Sequence, residues 1–142
     1  AARVLVRAVP GARPARSVRS GGERPTVHAT AGERSGPVVR KLVQELLDTV
    51  EGTIGVITPV GHTDDLAGDL AGLDERVQLM DALDAKGLEF DAAVIVDPRG
   101  VVEQSPNGMR TLYVALTRAT RLLAVVTADP DWTADLLGIE AS

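Results

Sequence analysis

The 142-residue sequence has no cysteine, which excludes a disulfide framework, a thiolate zinc site and thiol catalysis, and fits a reducing, cytoplasmic setting. Aromatic residues are equally scarce. Phe90, Tyr113 and Trp132 are the whole set, too few for the stacking platform of a single-strand binder. No apolar run approaches the roughly 20 residues that cross a bilayer, so no membrane is expected among the partners. The basic start, AARVLVRAVPGARPARSVRS, lacks the apolar core and small-residue cleavage site of a secretory signal. A GxxxxGK[ST] loop is also missing, so the chain has no phosphate cradle of that kind. His28 and His62 stand apart from other ligand types, and no metal site is expected of them.

What is present points to an ordinary globular domain. Hydrophobic residues make up 44% and charged residues 25%, which excludes a disordered tail as the default reading. The charge is split unevenly. Residues 1 to 24 carry six arginines and one acid, net +5, whereas residues 25 to 142 carry nine basic and nineteen acidic side chains, net −10. So acidic a body repels a phosphate backbone unless its few cations gather on one surface.

Residues 1 to 9 place Val4, Leu5 and Ala8 at helical spacing without a preceding cap, as expected of the tail of a longer helix. Residues 10 to 25 interleave Pro10, Pro14, Pro25, Gly11, Gly21 and Gly22 with arginines. That composition reads as an irregular, solvated connection, with a phosphate-binding patch as the alternative. The expected division is therefore a connection over 1–25 and one domain over 26–142.

From Ser35 the pattern sharpens. Ser35 can cap and Pro37 suits a first turn, while Val39, Leu42, Val43, Leu46, Leu47 and Val50 recur on one helical face that Gly52 is expected to end. Short apolar runs follow at 53–58, 77–80, 92–96 and 122–127, read as strands of a sheet buried on both faces, with a further strand over Thr26 to Ala29. Between the last two, Ser105 and Pro106 are expected to open a helix carrying Met109, Leu112, Tyr113 and Leu116 on its buried face. Alternating strands and helices predict an open α/β sheet, mainly parallel, with helices on both faces and ligands beyond the carboxyl ends of its strands. A flavodoxin-like or receiver-like domain would need a flavin loop or an acidic pocket after the first strand, and neither is present.

Two segments carry chemical information. In VQLMDALDAKGLEFDAAVIVDP, residues 77 to 98, a strand is followed by a polar loop with Lys86 and Gly87, suited to a phosphate-bearing ligand. On spacing alone, a surface lysine in a plain connection accounts for it as well. In NGMRTLYVALTRATRLL, residues 107 to 123, Arg118 lies nine positions from Met109 and so about 180° around a helix, away from the apolar stripe. An arginine there is either solvated or able to complete a charge clamp on a phosphoryl group.

In order and wording, VQLM…DAKGLEFD followed by LYVALTRATRLL resembles motifs V and VI of UvrD/Rep-type superfamily 1 helicases. The resemblance covers most of residues 53 to 127 and implies the second RecA-like motor domain of that family, termed 2A, in a three-layer RecA-like fold without its own P-loop. It implies ATP with Mg²⁺ held between this domain and an upstream RecA-like domain of the same protein, which would supply the metal site. By the same resemblance Arg118 is the catalytic arginine at the γ-phosphate, and the ATP-binding residues are Glu89, which bonds the ribose, Gly87, which allows close backbone approach, and Lys86, the motif V lysine near the domain interface. The family's motif IV would lie upstream of Ala1. This fragment by itself is expected to be inactive.

Two departures distinguish a branch. UvrD and Rep carry a large accessory domain ahead of motif V, but only about twenty residues separate Pro59 from Val77 here. Where the family has Thr and then His for contact with single-stranded DNA, this chain has Asp81 and Leu83, with Asp84 beside them in the same nucleic-acid or coupling loop. Both features, and KGLEFD…VIVDP, are more similar to HelD-type ATPases that act on RNA polymerase. The implied partner is single-stranded DNA for a translocase or RNA polymerase for a remodeller. The rival from another class is a catalytically silent RecA-like interaction module.

Overall fold

In a computed structural model describing residues 25–30 and 35–138, the apolar runs form five strands in a single parallel sheet. They are β1 (Thr26–Ala29), β2 (Ile54–Thr58), β3 (Val77–Asp81), β4 (Phe90–Val96) and β5 (Ala119–Thr127), in the spatial order β1-β5-β4-β2-β3. The expected α/β sheet with helices on both faces is thus found. The helix tail expected over residues 1 to 9 and the arginine-rich connection to residue 24 lie outside the described residues. Among the described residues no helix is long and apolar enough to cross a membrane.

Burial explains the order. β2 and β4, with runs of β-branched and small residues, are covered on both faces and take the centre, whereas β3 is only partly buried along its length because it forms an edge. On one face pack α1 (Ser35–Thr49) and α2 (Asp64–Leu70), whose Val39, Val43, Leu66 and Leu70 meet Ile54, Val56 and Val94. On the other lie α3 (Pro98–Glu103), α4 (Gly108–Leu116) and α5 (Pro130–Leu137), with Leu112, Leu116, Leu136 and Leu137 against Ile57, Ile95 and Val125. Trp132 packs against this second cluster, and the Arg99 guanidinium sits 5.8 Å from its ring centre.

Two local expectations need correction, and one helix start was not foreseen. α1 ends at Thr49, before Gly52, whose N–H instead donates to the Asp91 carboxylate at 2.9 Å. Ser105 and Pro106 open no helix; they form the turn between α3 and α4, and Asn107 precedes the latter. α3 starts at Pro98 because Asp97, left-handed at φ 53°, accepts from Gly100 N–H at 3.1 Å, so Asp-Pro acts here as a helix start as well as a strand stop.

The segment from Ala82 to Glu89 positions the candidate residues. Asp81 pairs with Thr58 at the carboxyl end of the sheet, whereas Phe90 begins β4 at the amino end. The loop therefore runs back along the sheet for the length of a seven-residue strand, about 20 Å. Ala82 and Ala85 are fully buried beneath it, small enough to let the backbone lie against α4 and turn the residues between them outward.

Candidate functional site

The loop separates the candidates into two groups, one at each end of the sheet. At the carboxyl end, the Asp81 carboxylate accepts from Leu83 N–H at 3.0 Å and Asp84 N–H at 2.9 Å. Its charge is spent on turning its own loop. Leu83, 62% exposed, and Asp84 project outward from that turn.

The other group lies at the amino ends of β4 and β5. Phe90 and Ala119 are register partners across these neighbouring strands, and Glu89 and Arg118 immediately precede them. Phe90 N–H donates to Arg118 carbonyl oxygen at 2.9 Å, which ties the two backbones together. The Phe90 ring is buried against β2, where Gly55 leaves room for it: a Cβ there would stand 2.6 Å from the ring. Glu89 is thereby anchored by its neighbour while its own side chain stays exposed. Gly87 adopts φ 84°, a conformation costly for other residues, and open space surrounds the place its Cβ would take.

Arg118 does not continue the outer face of its helix. α4 stops at Leu116, Thr117 caps it, and the arginine turns back, half-buried, onto the helix end. Its Nε donates to Val114 carbonyl oxygen at 3.0 Å, Nη1 to Leu88 carbonyl oxygen at 3.3 Å, and Nη2 to Thr117 Oγ1 at 3.1 Å. Thr117 Oγ1 in turn donates to Val114 carbonyl oxygen at 2.8 Å. These bonds satisfy a terminal helix carbonyl, a useful structural role in itself. They use three of the five N–H donors of a guanidinium, and among the described residues no carboxylate pairs with it. A rigid cation with two donors to spare is what clamping a phosphoryl oxygen requires.

Sequence reasoning placed ligands beyond the carboxyl ends of the strands, yet Gly87, Glu89 and Arg118 stand at the amino ends. The loop's retreat along the sheet is the physical reason. Lys86 lies between the groups, exposed on a groove of about 210 Å³ that α4 shares through Asn107, Arg110, Thr111 and Val114. Thr117 and Arg110 were missed: the hydroxyl beside Arg118 was a visible signal, whereas only the fold brings Arg110 opposite Lys86.

The remaining polar features do not join this site. His62 pairs with Asp65 at 2.8 Å, and His28 meets Thr26 Oγ1 at 2.9 Å. Burial holds the His28 pKa below its usual value, partly opposed by the nearby Glu45 charge. No group of three His, Cys, Asp or Glu among the described residues is placed to hold a metal ion.

Residues 82–126 match the family model of the UvrD-like helicase C-terminal domain, a span that includes Lys86, Gly87, Glu89 and Arg118. Among solved structures, the C-terminal domain of a possible DNA helicase from Lactobacillus plantarum WCFS1 is similar in fold, with a TM-score of 0.56 and 18% identity over 82% of this chain and 87% of that chain. No curated protein matches the chain in sequence.

Proposed function

We propose that this chain is the C-terminal RecA-like motor domain of a UvrD-like superfamily 1 helicase or translocase, completing an ATP site shared with an upstream RecA-like domain of the same protein. The observation that carries this is the state of Arg118: a half-buried guanidinium anchored on three neutral oxygens, unpaired with any described carboxylate, beside Glu89 and Gly87. The family match over residues 82–126 supports it.

The described residues fit part of a nucleotide. Arg118 offers donors to a phosphoryl oxygen, Glu89 an acceptor for ribose hydroxyls, and Gly87 an unobstructed backbone. Mg²⁺ and the β-phosphate fall to the upstream domain. Bound ATP supplies a γ-phosphoryl group for transfer to water, and charge develops on its oxygens as that bond breaks. Arg118 meets this charge from across the cleft, a contribution of about 10³ to 10⁵ in rate for arginine fingers generally. Its anchors hold the guanidinium in place beforehand, so little reorganisation is needed during reaction.

A second reading, the HelD-like polymerase remodeller, is favoured by the carboxyl end. Asp81 is folded into its own turn, Leu83 is apolar, and between β2 and β3 there is only the short helix α2. Steady-state ATP hydrolysis by the natural polypeptide, wild type against Arg118→Ala, tests the shared site. A drop of about a hundredfold or more is expected. Unchanged turnover would leave a silent interaction module. Stimulation by single-stranded DNA would mark a translocase, and response to RNA polymerase alone the remodeller.

A further inference from the structure

We infer that the groove between the Ala82–Leu88 loop and α4 is a docking site for a partner protein segment in which an apolar side chain is flanked by acidic residues. Leu83 and Val60, at 62% and 39% exposure, are two of the three exposed large hydrophobics among the described residues, and both line a cavity of about 320 Å³ with Val101, Gln104 and Thr111. Leu83 and Thr111 also line the adjoining groove of about 210 Å³, which contains Lys86 and Arg110. One continuous surface thus has an apolar end and a cationic end.

The walls are set in advance. Gln104 Nε2 donates to Val60 carbonyl oxygen at 2.7 Å while its Oε1 accepts from Val60 N–H at 2.8 Å, joining the exit of β2 to the end of α3. The Asp81 turn fixes Leu83 outward. A surface already rigid loses little entropy on binding.

Charge selects the occupant. Lys86 and Arg110 have no side-chain partner among the described residues, and no carboxylate lines either cavity. Within a body of net charge −10 over residues 25 to 142, two unpaired cations beside an exposed leucine are complementary to an acidic, apolar-anchored peptide. A nucleic-acid strand fits less well. None of Phe90, Tyr113 and Trp132 lines the groove to stack a base.

Fluorescence anisotropy on the natural polypeptide tests this with three labelled twelve-residue probes: Leu flanked by Asp and Glu, Leu flanked by Lys, and Ala flanked by Asp and Glu. The acidic leucine probe is expected to bind at least tenfold more tightly than the other two. Leu83→Asp and the double variant Lys86→Glu/Arg110→Glu should each weaken it at least tenfold, with thermal melts near wild type because all three side chains are exposed. Lys41→Glu, on α1, should leave it unchanged. Equal binding of all probes, indifference to both groove variants, or a labelled dT12 strand that binds more tightly than the peptide and depends on the same residues would overturn the proposal.

Discussion

The two ends of the loop from Asp81 to Glu89 solve opposite problems with similar residues. At the carboxyl end an acid, Asp81, is consumed by its own backbone and leaves an apolar side chain outward. At the amino end Glu89 makes no such bond among the described residues, and the cation Arg118 is anchored by neutral carbonyls and a hydroxyl that do not cancel its charge. A charged residue is available for chemistry when its supports are neutral, and it is structural when the backbone uses it up. Availability of this kind, rather than residue type, separates the candidate site from the rest of the loop.

Substitutions can break that contrast. The largest effect after loss of Arg118 is expected from Glu89→Ala, which should raise the KM for ATP roughly tenfold to a hundredfold, the value of about 1.5–3 kcal/mol for a hydrogen bond to a charged group. If Glu89 bonds the ribose as proposed, kcat measured alongside should show little change, since such binding would serve ground and transition states alike.

Thr117→Val removes one of three anchors on the guanidinium. A fall in kcat of about tenfold with KM nearly unchanged is expected, and Thr117→Ser should restore it. A fold defect alone would not separate Val from Ser in that way.

At the other end, Asp81→Ala should act on stability. Loss of the turn's acceptor is expected to cost about 0.5–2 kcal/mol in denaturant unfolding while turnover per folded molecule stays near wild type. If turnover falls instead, the carboxyl end takes part in the chemistry and the contrast fails.

The smallest effect concerns His28 on β1, remote from both groups. Its pKa is held below 6.5 in the folded protein, so the unfolded chain binds the proton more readily. Stability should be full above about pH 6.5 and decline slightly as pH falls through the folded pKa, and His28→Gln should flatten that decline. An unchanged slope would assign the acid sensitivity to other groups.

Much of the fold was legible because period and composition decided it: the α1 face from Val39 to Leu46 and the β-branched runs of β2, β4 and β5 lie where the pattern put them. α2 and α3 escaped notice, being seven and six residues long, too short to show a helical repeat. Arg118 could be singled out, but its direction could not, because the helical angle loses meaning once α4 ends at Leu116. The amino-end location was hidden for a similar reason: nothing in DAKGLEFD states that the loop runs back along the sheet. That path depends on Ala82 and Ala85 packing under it.

The most direct test of the central claim is binding of ADP with Mg²⁺ and aluminium fluoride, a mimic of the transferring phosphoryl group, to the natural polypeptide and its Arg118→Ala variant. If Arg118 acts on charge that develops during transfer, the variant should bind the mimic at least a hundredfold more weakly while its affinity for ADP alone changes less than tenfold. Equal affinity of both proteins for the mimic would contradict the assignment of Arg118 to the ATP site.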